Sequence, residues 1–232
     1  MPSESLLDAG GALINVNGGN VQTLEILLLT TLMMILPSLI VMMTSFTRYV
    51  VVFSFLRNAM GTQQTPPNMV LVGMAIVLTL FTMNPTLSTI KEEALDPYQA
   101  EEITQEEFFE RARIPLKRFM LEWSDIPSME MYCGMADVDI PETKEEAVEE
   151  LPMIVVIPSF VTSELKRAFT MGFLLYIPFL LVDMVVASTL MSMGMVMLPP
   201  SMIATPFKLL LFVMLDGWQL LFSTLVQSFM RG

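Results

Sequence analysis

Apolar residues fall along this chain in four long runs separated by polar links. The first run is 24–43, LEILLLTTLMMILPSLIVMM, with Pro37 inside it. A mixed stretch follows at 44–61, TSFTRYVVVFSFLRNAMG, apolar but carrying Arg48 and Arg57. The second run is 69–83, MVLVGMAIVLTLFTM. The third, 168–198, contains Pro178 and Asp183; the fourth, 203–229, contains Lys208 and Asp216. Read by hydropathy alone, the pattern predicts four transmembrane helices. Two features strain that reading. At ~1.5 Å of rise per residue the second run is about 22 Å long, short of a hydrocarbon core of ~30 Å. The third and fourth runs carry charges well inside their apolar lengths, and a charge in lipid costs ~2.5–3.5 kcal/mol or more. Helical hairpins packed on other protein tolerate such charges, so several of these helices are expected to face other subunits rather than lipid.

The polar stretches divide the chain. Residues 1–23, rich in Gly and Asn, read as a loose N-terminal segment. Residues 24–90 form a first helical hairpin region, 91–152 a polar helical domain, and 153–232 a second hairpin region with a loop near 193–200. Pro66-Pro67 and Pro199-Pro200 each follow a helix end and precede another apolar run, which suits hairpin turns. In the polar domain, TQEE at 104–107 fits a capping box, and Phe108, Ala112, Leu116, Phe119 and Trp123 follow at helical spacing. Phe119 and Trp123 are candidate packing or interface aromatics. Pro115 should kink or divide that helix. TKEE at 143–146 offers a second box. No strand run with turn chemistry stands out, so the fold class is all-α.

Charge sharpens this division. Of the 24 acidic and 12 basic residues, 18 acids and six bases lie in 91–150, so the whole net charge of −12 sits there. The remainder is a neutral apolar body, with no basic stripe for nucleic acid. Arg48 and Arg57 flank the link between the first two runs and place it on the cytoplasmic side, which puts 84–152 outside. No charged segment followed by a short apolar core is visible at the N-terminus, so either the chain begins after processing or the first apolar run itself serves for insertion.

Little here can do chemistry. There are no histidines and one cysteine, Cys133, which excludes Ser-His-Asp and Cys-His catalysis and any intrachain disulfide. No phosphate-binding glycine motif or metal-ligand cluster appears. The chain is expected to be no enzyme and to need no cofactor or metal. Asp183 and Asp216, in apolar surroundings, are either an ion site of a carrier or helix–helix partners satisfied by Lys208, backbone or hydroxyl groups. Lys208 and Asp216 are eight apart, ~12 Å along one helix, so they do not pair directly. Glu164 follows Thr162 and Ser163, candidate N-caps, and either caps that helix end or reaches Lys208 of a neighbouring subunit.

Methionine is unusually frequent, with 23 residues, and is densest in MSMGMVMLPP at 191–200. Spacing of two is wrong for one helix face. Met191 suits a packed helix. Gly194 and Pro199-Pro200 bound a loop in which Met193, Met195, Val196 and Met197 need not be helical. In a ring of copies these flexible thioethers could converge, seal when empty and yield around a passing chain.

Three long blocks carry a resemblance: 42–85, 157–188 and 194–221. Over them the chain resembles the FliP family, core subunits of the flagellar type III export gate, homologous to the SctR family of the injectisome. LDGWQLL and LRNAMGTQQTPPN look flagellar rather than injectisome-like. The resemblance implies a bacterial inner-membrane protein at the flagellar basal body, with the acidic domain periplasmic. It implies a pentamer joined by FliQ and FliR in a helical assembly largely lifted out of the bilayer. Partners would be FlhA and FlhB, membrane lipid and unfolded flagellar export substrates. The family's gating loop is typically a run of methionines after Gly; here Val196, stiff at χ1, interrupts it.

Overall fold

The computed structural model describes residues 15–16, 19–20, 27, 30–31, 33–35, 38, 41–62, 64–141, 143–195 and 197–230. Pro37, Val196 and most of the 1–23 segment lie outside these residues. Two units form, residues 1–42 and 43–232. In the first, β1 (Asn15–Val16) pairs antiparallel with β2 (Gly19–Asn20), and helical residues occur between 27 and 42. These two-residue strands are the only ones among the described residues, and the fold is all-α.

The second unit begins with α1 (Phe46–Ala59). Its buried residues Tyr49, Val52, Phe53 and Leu56 recur at three- and four-residue spacing, one face of a helix. That face packs chiefly on α7 (Met153–Ser192). Gly172 of α7 faces Phe55, whose ring fills the space a β-carbon would need. Only a glycine lets the two backbones approach so closely.

After a turn at 60–67, α2 (Asn68–Ile90) runs on through a π-helical turn, Lys91–Leu95, into α3 (Asp96–Gln99). The second apolar run is therefore not a short rod. It belongs to a continuous helix of 32 residues, about 48 Å long, which runs on through Asn84 and Pro85. Only a narrow stripe of α2 is buried, Leu71, Ala75, Thr79 and Met83. Met69, Val72, Ile76 and Phe81 on its other faces stand exposed.

The polar domain holds α4 (Gln105–Trp123), α5 (Ile126–Ala136) and α6 (Lys144–Glu150). Thr104 and Glu107 close the expected capping box on α4, and Thr143 Oγ1 accepts from the Glu146 N–H on α6. Pro115 does not divide α4; it is buried mid-helix, and packing of Phe119, Met120 and Trp123 carries the helix past the missing N–H. Asp125 caps α5 by accepting from Ser128 N.

Helix α7 starts at Met153, ten residues before the capping site expected from the sequence, so Thr162, Ser163 and Glu164 are mid-helix. Then come α8 (Pro200–Met214) and α9 (Gly217–Gln227), bent by 64° at the break between them. By length and composition Asn68–Gln99 and Met153–Ser192 suffice to cross a membrane, and the bent pair is a further candidate. Of the four expected spans, the first, 24–43, lies largely outside the described residues; the second and third belong to these two longer helices, and the fourth is the bent pair.

Pairings along the helices give this unit two poles. Arg48 meets Glu164, while Ala59, at the other end of α1, meets Lys208 of α8. Arg48 also reaches Ser228 and lies over Trp123, so the polar domain and the end of α9 share its pole. The 60–67 turn and the methionine loop share the opposite pole.

Candidate functional site

The methionine loop is built by its two ends. Helix α7 closes in a Schellman motif: Gly194 N donates to Met191 O at 3.0 Å and Met195 N to Leu190 O at 3.0 Å. That turn needs a left-handed residue, and Gly194 supplies it at φ +75°. On the far side Pro199 is extended and Pro200 opens α8 at its first position, where a missing N–H costs nothing. Met195, Met197 and Leu198 are not helical, and that removes the puzzle of two-residue spacing. Met193 ends α7, Met195 is half-buried, and Met197 is 98% exposed. Met191 is helical as expected but exposed rather than packed. Val196 lies outside the described residues.

Behind the loop, α8 is tied to two other helices by one side chain. Lys208 Nζ donates to Asp183 Oδ2 of α7 at 2.6 Å and to the Ala59 carbonyl of α1 at 3.0 Å. Ala59 is the last residue of its helix, and its carbonyl has no partner further along that helix. A lysine there also suits the negative end of the helix dipole. The ammonium is thus satisfied inside the chain, where Lys208 is buried. Asp183 has the helix–helix partner considered above. Asp216 differs from the expectation of a buried charge. It is exposed and left-handed, at φ +48°, in the break between α8 and α9. It does not share a helix with Lys208.

At the other pole Glu164 is fully buried. Arg48 Nε donates to its Oε2 at 2.7 Å, Arg48 Nη2 engages Oε1, and Arg167 Nη1 lies 3.3 Å from Oε1. Arg48 Nη1 donates to Ser228 Oγ at 2.7 Å. Its guanidinium lies 3.5 Å from the centre of the Phe229 ring and 5.4 Å from that of Trp123, a cation–π arrangement. Phe229 packs against Tyr49, Phe119 and Trp123 in turn. Glu164 and Lys208 are therefore not brought together within the chain; each has its own partners, at opposite poles. Arg48, expected as a cytoplasmic-side charge, is an internal one. Arg57 is half-buried and donates to Asn68 Oδ1 at 2.7 Å, closing the ends of the 60–67 turn. Phe119 and Trp123 pack inside the chain. The sequence reading missed Ser228 and Phe229. The usable signal was Arg48 itself, since an arginine within an aromatic, apolar run needs both an acid and something flat to cover it.

The polar domain is fastened to α7 through Asp125. Ser163 Oγ accepts from Asp125 N at 2.8 Å, and Lys166 Nζ donates to Asp125 Oδ2 at 2.8 Å. Burial opposes ionisation of Asp125, but bonds from Lys166, Ser128 and Ser163 outweigh it and hold the carboxyl far below its ordinary value. Lys117 is buried and donates to the Val148 carbonyl, holding α6 on α4; burial, with Arg113 nearby, lowers its pKa. Burial raises the Cys133 thiol. Among the described residues no group of three or more His, Cys, Asp or Glu side chains could hold a metal ion.

Comparisons with known proteins agree with one another. The sequence matches the family model described as "FliP family" over residues 28–225. It is 48% identical over 217 residues to the flagellar biosynthetic protein FliP of Aquifex aeolicus (strain VF5), covering 93% of this chain and 90% of that protein. The protein of the same name from Bacillus subtilis (strain 168) is 46% identical over 207 residues, 89% of this chain and 92% of its own length. That of Caulobacter vibrioides is 42% identical over 237 residues, 100% of this chain and 86% of its own length.

Proposed function

The chain belongs to the FliP family, and on that footing we propose that it is a core, pore-forming subunit of the flagellar type III protein export gate. It does no covalent chemistry. Several copies surround the path of unfolded flagellar subunits, and the methionine loop seals that path when it is empty. The observation that carries this reading is the loop itself: soft, unbranched side chains, one of them almost wholly exposed, held between a Schellman turn and a double proline. Exposed apolar side chains on α2 and α7, Val72, Ile76, Phe81, Phe169, Phe173 and Val185 among them, support burial against lipid or other subunits.

The assembly is a pentamer of this chain with FliQ-like and FliR-like subunits, working with FlhA and FlhB in the bacterial inner membrane at the basal body. The polar domain is periplasmic. Helix α7, with 40 residues and a length of about 60 Å, is twice as long as a hydrocarbon core is thick. Its end nearer the polar domain therefore stands clear of the lipid, in keeping with an assembly raised out of the bilayer. Glu164 and Lys208 as an inter-subunit pair would require each to exchange the partner it has within one chain.

Convergence of the loops is testable directly. With Cys133→Ser as background, Met197→Cys in the assembled complex should form disulfides between copies on mild oxidation, giving dimers of this chain on a denaturing gel. Met135→Cys, on the exposed surface of the polar domain, should not. Equal yields, or none at 197, sink the reading.

A further inference from the structure

The loop's exit is not left to the loop. The α1–α2 turn reaches it from the other hairpin. Gly61 N donates to Asn58 O at 3.1 Å, which folds the chain back over the end of α1, and Gly61 is left-handed at φ +76°. A β-carbon on Gly61 would stand 3.0 Å from Thr205 Oγ1, in the second turn of α8. Thr205 cannot swing away freely, because its hydroxyl donates to Ser201 O at 2.8 Å within α8. Two residues earlier in the turn, the Ala59 carbonyl takes its bond from Lys208. So backbone of the first hairpin touches α8 at two points one turn apart, and Asp183 locks the same lysine to α7. An open groove of about 380 Å³ lies between them, walled by Asn58 and Thr62 on one side and Ser201, Met202 and Thr205 on the other.

We propose that the turn Ala59–Thr62 is a seat that fixes the first turns of α8, and so the exit of the methionine loop, with Gly61 and Lys208 as positioning residues. This rests on the reading of that loop as the seal. Two helices leave the loop, α7 and α8; the Lys208 contacts set their spacing, and the Gly61 contact sets how closely α8 can lie. Any side chain at 61 meets a double penalty, the left-handed backbone and the Thr205 hydroxyl, and the element free to yield is the start of α8. Gly194, with the same left-handed backbone but open space around it, carries only the first penalty.

The test uses the assembled complex. Nitroxides at Asn58→Cys and Met202→Cys, in Cys133→Ser chains diluted with unlabelled chain, report the seat's width by dipolar broadening. Ion leak through the complex in a bilayer reports the seal. Gly61→Ala should lessen the broadening and raise the leak about tenfold, the population shift that strain of this size produces. Thr205→Leu, which crowds the same contact from the α8 side, should do the same if Gly61→Ala does not assemble. Gly61→Ala with Thr205→Ala, which relieves the contact but not the left-handed backbone, should recover part of both signals. Unchanged broadening in both crowded variants overturns the seat. Lessened broadening without leak, or no recovery in the double variant, overturns its role as positioner. Met193→Ala, Met195→Ala and Met197→Ala together serve as reference. If that triple variant does not leak, the seal reading itself fails, whatever the broadening shows.

Discussion

Arg48 is a fully buried cation. Its side chain is 1% exposed, Glu164 takes two of its nitrogens, Ser228 takes the third, and the Phe229 ring covers its face. Removing one partner of such a pair strands the other charge, which costs ~3–5 kcal/mol. Arg48→Met should therefore lower the melting temperature of the detergent-solubilised chain strongly, with Arg167 softening the loss. Arg48→Met with Glu164→Met should recover most of the loss, since it removes both buried charges and leaves Arg167 its bond to the Trp123 carbonyl. A double variant as unstable as the single one would refute this account of the pole. Asp125 offers a second residue-scale prediction. Its carboxyl is held below its ordinary value of 3.8 in the folded chain. The stability it gives is present above that value and lost as pH falls through the lower, folded one. The melting temperature should be flat in this respect at neutral pH and fall below about pH 4, and Asp125→Asn should lower the plateau and flatten the fall. A fall of equal depth in the variant would assign it to other carboxylates. What the sequence showed at this scale was which residues are special. It did not show their partners, because Arg48 and Glu164 lie 116 residues apart and only the packed helices bring them together.

Elements were legible where their signals are local. The capping box at Thr104, the helical spacing of Phe119 and Trp123, and the glycine and prolines around the loop are all short-range chemistry. Helix ends set by tertiary packing were not. Helix α4 runs through Pro115, α2 continues past its apolar run, and α7 begins ten residues before its expected cap. In each case burial of one face on neighbouring helices overrides a local stop signal. The α1–α7 contact is the clearest example, because one glycine sets its distance. Gly172→Ala drives a methyl group into the Phe55 ring, an overpacking that costs ~1–3 kcal/mol. The variant should melt several degrees lower, and Phe55→Leu should recover part of that loss. If Gly172→Ala melts like the wild type, the close approach is not holding these helices.

At the scale of the molecule, charge and apolar surface are sorted between two poles. The polar domain, the Arg48–Glu164 pair and the chain's last aromatic, Phe229, occupy one; the α1–α2 turn, Lys208 and the methionine loop occupy the other. Exposed apolar helices connect them. Such a body is incomplete alone, which is why a composition of 53% hydrophobic residues announced the membrane class while the number of spans stayed out of reach. Hydropathy counts apolar runs, but it does not distinguish a straight span from a pair bent by 64°, or lipid from a neighbouring subunit. The central claim is that the loop at the second pole seals an export path. Its most direct test is ion conductance of the assembled complex in a bilayer, with Met193, Met195 and Met197 replaced together by alanine and the mass of the complex checked. The account predicts a steady leak in the variant where the wild-type complex is tight. A variant complex of normal mass that stays as tight as wild type would contradict it.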